Sequence, residues 1–212
     1  MMNSVKIKVC GLTSISDAQY LLENNIEYGG MVLFFEKSKR CIDIETAKKI
    51  INVLKGKVKT VAVTVSPDVK QLKALETAGF DYIQIHGDLS DDVYTNAAIP
   101  IIRAINIKSS VNEIKEIKKE KIKGILFDAG KPGSGKTFDW NVIENVPVGD
   151  KILFLAGGLN EYNVKDAIEK IGPDVVDVSS GVEADGDTTG KDLVKIKRFA
   201  DSVRKNKYIL QP

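Results

Sequence analysis

Cys10 stands where an apolar run meets a glycine, in Lys8-Val9-Cys10-Gly11. A thiol does chemistry as its thiolate, and a nearby cation shifts its ordinary pKa of roughly 8.5. Lys8, two residues earlier on an extended run, shares the face of Cys10 and supplies such a cation inside a binding site. Asp128 closes a second apolar run, Ile125-Leu126-Phe127. An acid held partly out of water at such a place has a raised pKa and suits general-acid work; the same residue also reads as a loop-bracing aspartate. Arg40, in Lys37-Ser38-Lys39-Arg40, carries a planar fork that matches a carboxylate. His86 is a hydrogen-bonding candidate at the end of Ile83-Gln84-Ile85-His86, and Cys41 reads as a small structural thiol.

Two late glycine loops read as an anion site. Ala156-Gly157-Gly158-Leu159-Asn160 and Ser179-Ser180-Gly181-Val182-Glu183 each follow a β-branched run. Glycine lets backbone N–H groups approach a phosphate, and Ser180 adds a hydroxyl. Tight turns alone would account for one such loop, but two adjacent ones favour phosphate binding by Gly157, Gly158, Ser180 and Gly181. A competing motif is Gly130-Lys131-Pro132-Gly133-Ser134-Gly135-Lys136-Thr137, which satisfies the P-loop pattern of nucleotide hydrolases and kinases. Against that reading, the helical stretch after it begins only near Asp139 and is stopped by Pro147, whereas a P-loop runs straight into a helix.

These residues need elements to hold them. Apolar β-branched runs at 6–9, 28–34, 60–65, 82–85, 101–105, 124–127, 152–155 and 175–178 predict eight strands. Amphipathic stretches at 16–24, 43–54, 68–78, 91–97, 111–119, 139–144, 162–171 and 192–204 predict the helices between them, with Ser16, Asp43, Asp68 and Asp139 as capping candidates. An open doubly wound sheet gives a similar alternation. Eight strands, with the chemistry at their C-terminal ends, point instead to an α/β fold of the (β/α)8 TIM-barrel kind with a closed parallel sheet. The strand-end set also includes Arg103. One domain over residues 1–212 is expected, with 205–212 a frayed tail.

Composition narrows the function. A hydrophobic fraction of 43% and a charged fraction of 28% are those of a folded globular chain. With 31 basic and 29 acidic residues the net charge is +2, too balanced for a nucleic-acid binder. No run has the length of a signal peptide or a membrane span, so a cytoplasmic protein without a membrane partner is expected. Two cysteines without CxxC spacing and one histidine suggest neither a disulfide framework nor a metal site.

The stretches Lys8-Val9-Cys10-Gly11-Leu12-Thr13, Lys37-Ser38-Lys39-Arg40, Gln84-Ile85-His86-Gly87, Gly133-Ser134-Gly135-Lys136-Thr137-Phe138-Asp139-Trp140, Gly157-Gly158-Leu159-Asn160 and Asp177-Val178-Ser179-Ser180-Gly181-Val182-Glu183, in this order, resemble the phosphoribosylanthranilate isomerases of tryptophan biosynthesis. The resemblance runs from Lys6 to about Phe199. It implies a cofactor-free aldose–ketose (Amadori) isomerisation of a phosphorylated sugar amine by a monomer or homodimer. It makes Asp128 the general acid, Cys10 the general base, Arg40 the ligand of the aryl carboxylate, and His86 and Asp177 part of the sugar site. In this light the 130–137 stretch is the family's sixth loop. Retention of both Cys10 and Asp128 argues against a third reading, a phosphosugar-binding barrel without catalysis. Met31-Val32-Leu33-Phe34, where relatives usually carry Gly-Phe-Val-Phe, and Thr64, where an aromatic is common, are departures expected to reshape the aromatic pocket.

Overall fold

Short runs of Val, Ile and Thr favour extended backbone, and when buried on both faces they pair as parallel strands beneath covering helices. A computed structural model describes residues 4–106, 119–128, 146, 148–186 and 189–205. The strands are β1 (Lys6–Cys10), β2 (Tyr28–Val32), β3 (Lys59–Val65), β4 (Tyr82–His86), β5 (Ile101–Asn106), β6 (Ile122–Asp128), β7 (Ile152–Leu155) and β8 (Val175–Val178). All neighbours are parallel, and β8 pairs back onto β1, closing the barrel. The described helices are α1 (Ile15–Glu23), α2 (Ile44–Leu54), α3 (Val69–Ala78), α4 (Asp91–Asn96), α5 (Val164–Ile171) and α6 (Leu193–Arg204). Those expected at 111–119 and 139–144 lie almost wholly or wholly outside the described residues, as do the 130–137 loop and, apart from Lys205, the tail. No helix among the described residues is long and apolar enough to cross a membrane.

Local chemistry sets the boundaries. Asp43 and Asp68 cap α2 and α3 as expected. The cap of α1 is Ser14 rather than Ser16: Ser14 accepts from the Asp17 N–H while the Asp17 carboxylate takes the Ser14 N–H, a reciprocal box that Ser16 is two residues too late to form. β2 stops at Val32, short of the expected Phe34, whose φ of +57° turns the chain out of the sheet.

Inside the barrel, the register stacks inward side chains in layers of four from alternate strands. From the N-terminal end they are Tyr28, Tyr82, Gly124, Val175; then Lys8, Val61, Ile102, Phe154; then Gly30, Gln84, Leu126, Asp177; then Cys10, Val63, Ala104, Ala156; and at the rim Val32, His86, Asp128, Ser179. The lower layers are plugged by Tyr28 against Tyr82 and Phe154, with ring centroids 6.1 and 5.5 Å apart. Gly124 makes the plug possible, because a Cβ there would lie 2.8 Å from the Phe154 ring. The outward residues, among them Ile7, Val9, Met31, Ile83, Ile85 and Val176, form the core under the helices. Arg103 belongs to this outer face: it is buried there and donates from one Nη to the carbonyls of Ile85 and Ala104. Met31 packs there too, whereas its neighbour Val32 points inward at the rim, and Thr64, buried between inward Val63 and Val65, also borders the cavity at the strand ends. Of these departures, Val32 and Thr64 border the pocket and Met31 does not.

Candidate active site

The upper three layers open into a cavity of about 860 Å3 at the C-terminal ends of the strands. Cys10, Arg40, His86, Asp128, Gly157, Gly158, Asp177 and Ser180 all line it. Lys8, in the layer below, is fully buried and does not line it; its ammonium lies against Asp177 beneath the floor. Gly181 does not line the cavity; its Cα sits against the next loop, where a Cβ would lie 2.2 Å from the Leu159 carbonyl, so this glycine seats one loop on the other.

At the floor, Lys8 Nζ donates to Asp177 Oδ2 at 2.9 Å, and both residues are buried. A Cβ on Gly30 would stand 3.1 Å from Cys10 Sγ and 3.3 Å from Lys8 Nζ, so this glycine vacates the volume in which thiol and ammonium meet. Burial opposes the charge on Lys8, yet Asp177 and Cys10 outweigh it and hold the ammonium above its ordinary pKa. Burial pushes the Cys10 thiol up; Lys8, Lys191 and Arg40 pull it down, Asp177 adds to the rise, and burial prevails. The expected cation is in place, but it acts against a larger desolvation.

Gln84 lies level with Asp177 on the opposite side of the floor. Its Nε2 is 2.8 Å from His86 Nε2, so with the amide nitrogen facing the ring the amide donates and the imidazole proton sits on Nδ1. Burial, then the positive charges of Lys8 and Arg103, lower the His86 pKa to about 4, leaving the ring neutral. The arrangement strands two acceptors, Gln84 Oε1 and Asp177 Oδ1, without partners among the described residues. Buried polar atoms are normally satisfied, and these two line the cavity. Sequence reasoning missed Gln84; its alternation with His86 was the available signal.

The glycine loops turn as expected, Gly157 with φ +93° and Gly158 with φ +66°. Asn160 Oδ1 accepts from the Tyr162 and Asn163 N–H groups, and Asn163 Nδ2 donates to the Gly158 carbonyl, closing the loop on itself. After β8, residues Ser180–Val182 form a single 3-10 turn beside it. Arg40 lies across Gly11, whose missing Cβ would be 2.5 Å from Arg40 Cδ, and its Nε donates to Glu183. Among the described residues no group of three or more His, Cys, Asp or Glu side chains could hold a metal ion.

Comparison with known proteins agrees with this geometry. A family model described as N-(5'phosphoribosyl)anthranilate (PRA) isomerase matches residues 7–202. The N-(5'-phosphoribosyl)anthranilate isomerase of Streptococcus mutans is 43% identical over 201 residues, covering 94% of this chain and 99% of its own. The phosphoribosyl anthranilate isomerase of Thermotoga maritima superposes with a TM-score of 0.82 at 34% identity, over 95% of this chain and 99% of that one. A further structure, of a phosphoribosyl anthranilate isomerase in complex with reduced 1-(o-carboxyphenylamino)-1-deoxyribulose 5-phosphate, gives a TM-score of 0.80 at 32% identity, over 95% and 99% of the two chains. A match that runs through nearly every strand and loop of the barrel is a statement of descent: the chain belongs to the N-(5'-phosphoribosyl)anthranilate isomerase family.

Proposed function

We propose that this protein isomerises N-(5'-phosphoribosyl)anthranilate to 1-(2-carboxyphenylamino)-1-deoxyribulose 5-phosphate, the Amadori step of tryptophan biosynthesis. The observation that carries the reading is one cavity holding both Cys10 and Asp128 beneath two glycine loops, in a chain of this family. Asp128 gives a proton to the ribose ring oxygen as the C1–O bond breaks, and the nitrogen lone pair forms the C1 iminium. Cys10 acts in its thiolate form, which Lys8 favours and burial opposes: having released its own proton to solvent it takes the C2 proton, the C2–H electron pair flows to C1 and nitrogen, and an enolamine results. Its ketonisation leaves C2 oxidised and C1 reduced, so no external redox partner enters. One group must begin protonated and the other must begin as a base, which fits two separate residues.

The remaining lining residues sort by charge. Gly157, Gly158 and Ser180 offer donors for the phosphate, with Gly181 seating the loop that carries Ser180. Arg40 faces the aryl carboxylate, Lys8 supports Cys10, and His86, Gln84 Oε1 and Asp177 Oδ1 meet sugar hydroxyls. The β6 strand before the P-loop-like segment is one stave of a closed barrel, which disfavours a nucleotide-binding sheet. The test follows the fluorescence of freshly generated phosphoribosylanthranilate. Its decay should accelerate with the protein and lose about 10²–10⁴ of that rate in Cys10→Ser and in Asp128→Asn, with KM little changed. Near-normal turnover by Cys10→Ser, with chemistry rate-limiting, would make Cys10 a packed structural thiol and sink the mechanism.

A further inference from the structure

One carboxylate in the rim holds three cations. Glu183 accepts from Arg40 Nε, lies 3.3 Å from Lys191 Nζ and 3.8 Å from Lys39 Nζ. Lys191 is fully buried, and its Nζ also donates to the Ser179 carbonyl at 3.3 Å. The segment bearing the pair is anchored: Glu183 and Lys191 face each other in a short antiparallel bridge, and the Lys191 N–H donates to Asp17 Oδ1 at 2.9 Å. Glu183 therefore sits on a fixed base. Arg40 reaches it from the loop after β2, lying over Gly11.

Glu183 takes Arg40 by Nε, and the two Nη groups, which carry the other donors, make no hydrogen bond among the described residues. An arginine held by Nε cannot swing, so its terminal fork is fixed in direction. The local charge is also unbalanced, since three cations share one anion. A second carboxylate at the fork is the group this imbalance favours.

We infer that Glu183 is a positioning residue, which fixes the Arg40 fork toward the cavity and thereby sets the preference for substrates carrying an aryl carboxylate. The inference rests on the reading of Arg40 given above. It adds that the carboxylate clamp is built on the same segment of chain that follows the Ser180 phosphate loop, so one rigid piece fixes the distance between the two anionic ends of the substrate.

Removing Glu183 alone leaves Lys191 buried and unpaired, which destabilises the fold. The test therefore uses Glu183→Ala and the double variant Glu183→Ala/Lys191→Met, which removes the stranded charge. Two probes are titrated into each: the reduced product analogue with its carboxyphenyl group, and its counterpart made with aniline, which lacks only the carboxylate. The readout is the ratio of the two dissociation constants. Partial unfolding weakens both probes alike and leaves the ratio unmoved, whereas loss of the clamp direction does not. The preference for the carboxylate should fall by about tenfold or more in both variants, the size of one charged hydrogen-bonding contact. It should approach the value of Arg40→Ala. A double variant that keeps the wild-type ratio while Arg40→Ala abolishes it would overturn the role of Glu183 and leave Arg40 standing. An Arg40→Ala variant that itself keeps the ratio would overturn the reading of Arg40, and this inference with it.

Discussion

His86 is the one histidine in the chain, and burial with Lys8 and Arg103 nearby holds its pKa at about 4. In the unfolded chain the same ring titrates near 6.5. Between these values the unfolded state takes up a proton that the folded state refuses, so stability falls as pH drops from about 6.5 toward 4, by up to about 1.4 kcal/mol per pH unit. Urea denaturation at pH 6.5 and pH 5, above most carboxylate titrations, should show that loss in the wild type and its absence in His86→Asn. Equal slopes in the two proteins would mean that the ring is not held neutral. At this scale the sequence was legible where a residue's neighbours in the chain define it: Lys8 and Cys10 share a strand face because they are two apart. Gln84, Glu183 and Lys191 were not legible as site residues. Glu183 pairs with Arg40, 143 positions away, a relation that leaves no local pattern, while for Gln84 the one local signal was its alternation with His86, and the layer it shares with Asp177 shows only in the fold.

Two strand glycines test what the layers do. At Gly30 an added Cβ meets Cys10 Sγ and Lys8 Nζ, and Lys8 cannot retreat without losing Asp177. At Gly124 the added Cβ meets the Phe154 ring in the plug. Gly30→Ala should therefore lower kcat by about tenfold or more through displacement of the proposed base, while Gly124→Ala should cost about 1–3 kcal/mol of stability and leave kcat unchanged in the folded fraction. Steady-state kinetics and thermal melts on both variants decide it, and a reversed pattern would show that the layers are misassigned. The eight strands were readable because β-branched runs and helical periods alternate without interruption. The ends of elements were less so: Ser14 caps α1 through Asp17, and the turn at Phe34 depends on φ, which β-propensity does not register. The closure of the sheet was decided by tertiary pairing of β8 with β1, a contact that alternation alone does not distinguish from an open edge.

Across the whole molecule, the ion pair at the cavity floor joins the first strand to the last, Lys8 to Asp177, over 169 positions. Breaking one partner strands a buried charge, so Asp177→Asn should cost about 3–5 kcal/mol, and Asp177→Asn/Lys8→Met should recover much of it. Equilibrium unfolding measures both, and a single variant as stable as the wild type would show that the pair is solvated.

That same pair gives the barrel a direction in time. A chain emerging from the ribosome presents Lys8 169 positions before Asp177, so the lysine has no native counter-ion until that whole stretch has been made. Any early bundle of the first strands must leave its ammonium in water, and the volume above Gly30 open. The cavity floor is thus completed by the same pairing that closes the sheet, and partly synthesised chains have no means of assembling it.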